Sequence, residues 1–286
     1  MNSKSFLTGK IEQETLIYFK KLDKINRSRI DSIVNRWSDD TLNSEKARFS
    51  ALNKQLGDCK GKPILDMSSG CGSFVLQGLV AGWDVYGIEP EQWKQDLIDL
   101  KFKENDYPAE WRERIKKGIG EELPYENEQF DGFNSWQTFE HVQNVDSCLT
   151  ELHRVLKSDG KGIIHCPSYM TFYEGHYRLF WLPMLGNSTF GRMYVKMMGR
   201  PIDGLRTFVP IKKSTLVRKA RKAGFTVESI PQKEIYSAGK RKYSFLNGGL
   251  GKIVLPVLYF GWKTLQGLKR FGRSEKSIHL LLTKTK

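Results

Sequence analysis

Between residues 63 and 168, short apolar runs alternate with helix-length amphipathic segments, and this alternation narrows the fold more than any other feature of the chain. The runs are PILDM, WDVYGIE, QFDGFNS and KGIIHCP. Strands separated by helices are too far apart for hairpin pairing, so they build β-α-β units: an α/β sandwich, with helices on both faces of a parallel sheet. Ahead of it, Ile30, Ile33, Val34 and Trp37 recur at i, i+3, i+4 and i+7. Phe49, Leu52 and Leu56 continue such a stripe until Gly57, so residues 1–60 read as a helical cap. Residues 61–166 form the core. Residues 167–212 break the alternation with the aromatic stretch SYMTFYEGHYRLFWLPMLGNSTF, placed after a strand's carboxyl end, where open α/β sheets bind ligands. Residues 213–286 close the core with a basic helix (213–223), the strand FTVESI and the strand SIHLLLTK (277–284), the last two separated by a basic insertion at 233–276.

Composition adds an expectation about partners. With 39% hydrophobic and 27% charged residues in 286, the chain has material for a substantial core. Its net charge of +14 calls for an anionic partner. Twelve Lys and Arg against Glu234 and Glu275 concentrate that charge in residues 233–286. Inside that segment Val254, Val257, Leu258, Trp262, Leu265 and Leu268 share a helical face. This apolar run is too short for a bilayer core of roughly 30 Å, but such a face suits the interface of an anionic membrane. Cys59, Cys71, Cys148 and Cys166 form no C-x-x-C pair, so neither a disulfide framework nor a metal site is expected. The opening MNSKSFLTGKIEQE lacks an apolar signal core, which points to a cytoplasmic chain, peripheral at the membrane if the basic segment docks there.

The chemistry is concentrated in ILDMSSGCGSF, residues 64–74: a strand ending in Asp66, a small-residue turn through Ser68, Ser69, Gly70, Cys71 and Gly72, and a helix from about Ser73. Glycines there admit a ligand close to the backbone, and the helix start offers unpaired N–H groups. Glu89 ends the next strand, placed to accept hydrogen bonds from both hydroxyls of a ribose. A dinucleotide fingerprint would need glycine at position 75, which is Val75. A ligand with a cationic amino-acid end suits Asp66 better, and S-adenosylmethionine is such a ligand.

These residues resemble the class I methyltransferases that use S-adenosylmethionine. The matching stretches are DMSSGCG (66–72), GIEPE (87–91), EELPYENEQFDGF (121–133), Glu140-His141 and ELHRVLKSDGKGIIHCPS (151–168), with a weaker match at KAGFTVESI (222–230). The resemblance implies a Rossmann-like three-layer sandwich with a mainly parallel seven-stranded sheet, SIHLLLTK being its antiparallel member. It implies S-adenosylmethionine as the cofactor, held by Asp66, Ser68, Ser69, Gly70, Gly72 and Glu89, with Gly120, Glu121, Trp136 and Gln137 completing the set. Two positions depart from the pattern: Ser68 replaces a glycine, and Ile119 stands where an acid usually meets the adenine amino group. Glu121, or the backbone of Gly120 and Glu121, then takes that contact.

For catalysis the candidates are His141, beside Glu140 past the fourth core strand, and the lid residues Glu174 and His176, where a His beside a Glu suits removal of a proton from an acceptor hydroxyl. Each has a structural counterpart: a brace at the sheet edge for His141, and a packed aromatic lid for YEGHYR. Asn134-Ser135-Trp136-Gln137 lacks the motifs of nucleic-acid base methylation, and Cys166 lacks the partner motif of a thiolate nucleophile. The expected reaction is therefore methyl transfer to a small or lipid-linked acceptor: a lipid-linked or surface-polysaccharide sugar first, a quinone-type ring second. The alternatives are an RNA-directed enzyme using the basic region and a non-catalytic adenosyl-ligand-binding scaffold.

Overall fold

The computed structural model describes residues 2–38, 42–171, 173–183, 185–231 and 277–285. Three helices form the cap: α1 (Ser3–Tyr18), α2 (Lys24–Ser38) and α3 (Leu42–Leu56), the last followed by Gly57 at φ 82°. The core then runs β1 (Ile64–Asp66), α4 (Ser73–Val80), β2 (Val85–Ile88), α5 (Gln92–Asn105), β3 (Ile115–Lys116), β4 (Phe130–Trp136), α6 (Val145–Val155) and β5 (Leu156–Pro167). After the lid come α8 (Lys213–Lys222), β8 (Phe225–Ser229) and β9 (Ser277–Lys284).

The seven strands lie in the order β3-β2-β1-β4-β5-β9-β8. β1 pairs parallel with both β2 and β4, and β9 pairs antiparallel with both β5 and β8. Alternation along the strands divides the core into two layers. Leu65, Ile164, Leu280 and Leu282 face α6 and α8 in one apolar cluster. Ile64, Ile163 and Leu281 face Phe49, Leu52, Phe74 and Val75 of α3 and α4 in the other. The cap thus helps to cover one face of the sheet, and Leu7, Ile11, Ile30 and Val34 continue its packing onto Cys71 and Leu97.

The expected architecture is present, with two local differences. β5 begins at Leu156, directly after α6, and reaches GIIHCP through a register irregularity at Phe130/Gly132, so it is longer than the apolar run that announces it. β3 is only two residues long and has no apolar run of its own, pairing at the edge through Gly87↔Ile115 and Ile88↔Lys116.

The insertion after β5 contains a two-stranded hairpin, β6 (Tyr173–Glu174) with β7 (Leu179–Phe180), and the helix α7 (Thr189–Met197). It has its own core of Tyr169, Tyr177, Trp181, Val195, Leu205 and Phe208. The basic amphipathic segment at 233–276 lies outside the described residues. Among those described, no helix is long and apolar enough to cross a membrane.

Candidate functional site

Parallel pairing brings the carboxyl ends of β1, β2 and β4 together, and the polar residues of the site sit at these tips. Asp66 is fully buried at the end of β1. Its Oδ1 accepts from Arg48 Nη2 at 2.5 Å and from Asn134 Nδ2 at 2.8 Å, while Oδ2, also buried, has no hydrogen-bond partner. Burial pushes its carboxyl up to about 6, against the opposing pull of Arg48 and Asn134. The helix start is capped by Gly72, not by Asp66.

Glu89, 1% exposed, lies against the same turn: Oε2 accepts from the Gly70 N–H at 2.9 Å and Oε1 from the Glu91 N–H at 3.0 Å. Burial raises its pKa while Lys94, 3.5 Å away, opposes the shift. The turn is open at Gly70, where φ is 57° and a Cβ would meet nothing within 4 Å. Ser69 is buried with its Oγ unpartnered, filling the space above Gly87, where a Cβ would lie 1.9 Å from that oxygen. Two carboxylates, one with a vacant acceptor oxygen, thus stand at neighbouring strand tips, with the Ser69 hydroxyl packed against Gly87 and the glycine turn open at Gly70.

The other expected cofactor residues stand in the neighbouring loops and at the end of β4. Ser68 is half-buried beside Ser69. Gly120 lies where a Cβ would come 3.1 Å from Cys148 Sγ and 3.3 Å from Met67 Cε, so the backbone passes close to the core there. The Glu121 carboxylate accepts from the N–H groups of Gln143 and Asn144 at 2.9 and 3.1 Å, bracing the loop before α6. Ile119 is exposed. Trp136 packs against His165, ring centroids 4.3 Å apart, and Gln137, at φ 56°, donates its N–H to His165 O at 2.7 Å.

A second constellation joins β4, the lid and the cap. His176 Nδ1 lies 2.6 Å from Glu174 Oε1, and the other carboxylate oxygen accepts from the Tyr177 N–H at 2.6 Å. The His176 ring stacks on Tyr18 and on Phe208, each at 5.3 Å, and meets His141 edge-on at 5.9 Å. His141 Nδ1 bonds Thr207 O, and partial desolvation lowers its pKa. Thr207 Oγ1 in turn lies 2.6 Å from Tyr18 Oη. Below them Glu140 is buried, its Oε2 unpartnered, and burial pushes its carboxyl up to about 7. His141, from the loop after β4, thus meets Glu174 and His176, which come together from the lid hairpin. His141 also fulfils its structural reading, since it ties the tip of β4 to the 207–209 segment.

Sequence reading missed Arg48. Its guanidinium bonds Asp66 and Glu45 and lies over Phe74, 4.3 Å from the ring centroid, yet nothing local marks it among 46 Lys and Arg. Asn134 was legible in principle, because it stands opposite Asp66 in the β1–β4 register.

The sheet order, the acid-tipped β1 and β2, and the glycine turn between them accompany a match of residues 65–164 to the methyltransferase domain family. Residues 65–164 thus resemble a methyltransferase domain. A ubiquinone biosynthesis O-methyltransferase from Pseudomonas syringae is 26% identical over 49% of this chain and 61% of its own length. A demethylmenaquinone methyltransferase from Lactobacillus johnsonii is 28% identical over 47% of this chain and 57% of its own. The chain therefore spans about six tenths of the length of these curated relatives. The domain fold is shared with Haemonchus contortus phosphoethanolamine N-methyltransferase 2, solved with phosphomonomethylethanolamine and S-adenosylhomocysteine. Its TM-score is 0.50 at 16% identity, over 84% of this chain and 53% of that one.

Proposed function

We propose that this chain transfers a methyl group from S-adenosylmethionine to a hydroxyl of a small aromatic acceptor of the quinone type. The unpartnered Asp66 Oδ2 and Ser69 Oγ and the open space at Gly70 fit the cofactor. Asp66 would take its amino group, through water or directly, and Arg48 beside it would face its carboxylate. The Glu89 oxygens, each with acceptor capacity left, would take the ribose hydroxyls, with Gly120, Glu121, Trp136 and Gln137 around the base. When bound, S-adenosylmethionine supplies a methyl group made electrophilic by a cationic sulfur.

What remains for the protein is alignment, exclusion of water and removal of one proton. The meeting of Glu174–His176 with His141 in an aromatic surround is the observation that carries the reading. With Nδ1–H held by Glu174, His176 keeps a lone pair on Nε2, the atom that takes the acceptor's hydroxyl proton. Tyr18, Tyr169 and Phe208 around it suit a ring. The names of the curated relatives move the quinone-type ring ahead of a lipid-linked sugar.

The test is transfer of labelled methyl to catechol and hydroquinone rings and to glycan extracts. Label in the phenol arm is expected, with His176→Ala lowering kcat about 100-fold or more while calorimetry shows cofactor binding retained. Failure of the wild type to bind S-adenosylmethionine ends the enzyme reading. Binding without transfer leaves the adenosyl-ligand scaffold.

A further inference from the structure

Lid helix α7 is apolar on two faces. Gly191 and Val195 are buried against the lid core, and Tyr194 donates its hydroxyl to Phe180 O at 2.7 Å. Phe190, Met193 and Met197, at i, i+3 and i+7, project elsewhere and are 52%, 58% and 73% exposed. Met198, next in the chain, is 41% exposed. Side chains of this size are costly to hold in water, and single scattered instances are ordinary, but a row on one helical face is a binding surface.

Charge selects the occupant. Exposed Arg192 and Lys196 lie along one side of this face, and residues 181–200 contain no Asp or Glu. A second copy meeting it across a two-fold axis would set these cations against their equals. The chain's own segment 233–276 is itself basic, with ten Lys and Arg against two Glu. An apolar row with a cationic border matches an anionic bilayer, whose acyl boundary takes the row and whose headgroups take the cations.

We propose that α7 is a membrane-docking helix, with Phe190, Met193 and Met197 seated in the interface of an anionic bilayer. The inference rests on the surface of α7 and does not need the proposed chemistry. It would nevertheless present the lid, with Glu174 and His176, to acceptors dissolved in the membrane.

Flotation of the full chain with phosphatidylcholine vesicles, with and without about one third phosphatidylglycerol, tests it. The wild type floats with the anionic vesicles only, and Met193→Ser/Met197→Ser lowers the floated fraction about tenfold or more. Because these side chains are exposed, S-adenosylmethionine binding by the variant stays at the wild-type level, which separates this result from failure of the methyl-transfer reading. A second measurement uses Met197→Cys carrying an environment-sensitive dye, which labels selectively because the four native cysteines are buried. Its emission shifts to the blue when anionic vesicles are added. A wild type that stays at the bottom, a double variant that floats as well as the wild type, or a dye that does not shift overturns the proposal. So does a dye already blue-shifted without vesicles, which assigns the face to a second copy if the protein sediments as a dimer and to the chain itself if it is a monomer.

Discussion

Glu140 is a carboxyl group with almost no access to water and one oxygen left unpaired. Burial raises its pKa from 4.5 to about 7, opposed by a hydrogen bond from its own backbone N–H and, less strongly, by nearby His176; Cys166 and Tyr169 lie within its field. The native state therefore holds this proton more tightly than the unfolded chain. The resulting stability is fully present below the unfolded value and is lost as pH rises through 7. Glu140→Gln keeps the shape and removes the charge. In urea unfolding the variant should match the wild type near pH 4 and exceed it near pH 8 by up to about 3 kcal/mol. A difference that does not vary with pH would refute this account. Residue chemistry was only partly legible beforehand. Asp66 and Glu89 announce themselves as acids at predicted strand ends, whereas Arg48 reaches Asp66 from a cap helix, a contact set by packing and not by spacing along the chain.

At the level of elements, the sequence reported the periodic features and missed the rest. Alternating apolar runs, the stop at Gly57 and the strand–turn–helix around Asp66 are local signals with a fixed period. β3 depends on two residues at a sheet edge, and the hairpin β6–β7 on two per strand, too few to show any period. The turn at 68–72 also relies on its neighbour strand, since Ser69 occupies the space that a side chain on Gly87 would need. Gly87→Ala should push Ser69 aside and weaken S-adenosylmethionine binding about tenfold or more in calorimetry, while far-UV circular dichroism keeps its wild-type shape. Undiminished affinity would show that the turn tolerates the shift.

Across the whole molecule, cap, core and lid are joined by buried polar ties as well as by apolar packing. Lys101, 1% exposed, donates to Trp37 O at 2.7 Å, Arg48 bridges α3 to β1, and Tyr18 joins α1 to Thr207. Ligand held at the strand tips should therefore stabilise all three together. S-adenosylhomocysteine at a hundredfold excess over its Kd should add about 2.7 kcal/mol and raise a single thermal transition, with amides of α1 to α3 protected alongside those of the sheet. Two separating transitions on titration would mean that the cap is energetically independent. The position of β9 between β5 and β8 also bears on how the chain is made. On the ribosome, β8 emerges well before residues 277–284 and has no neighbour to pair with, while β5 waits with one side bare. Both edges stay open to chaperones, or to mispairing, until residues 277–284 have emerged, and the arrival of that one strand closes both at once.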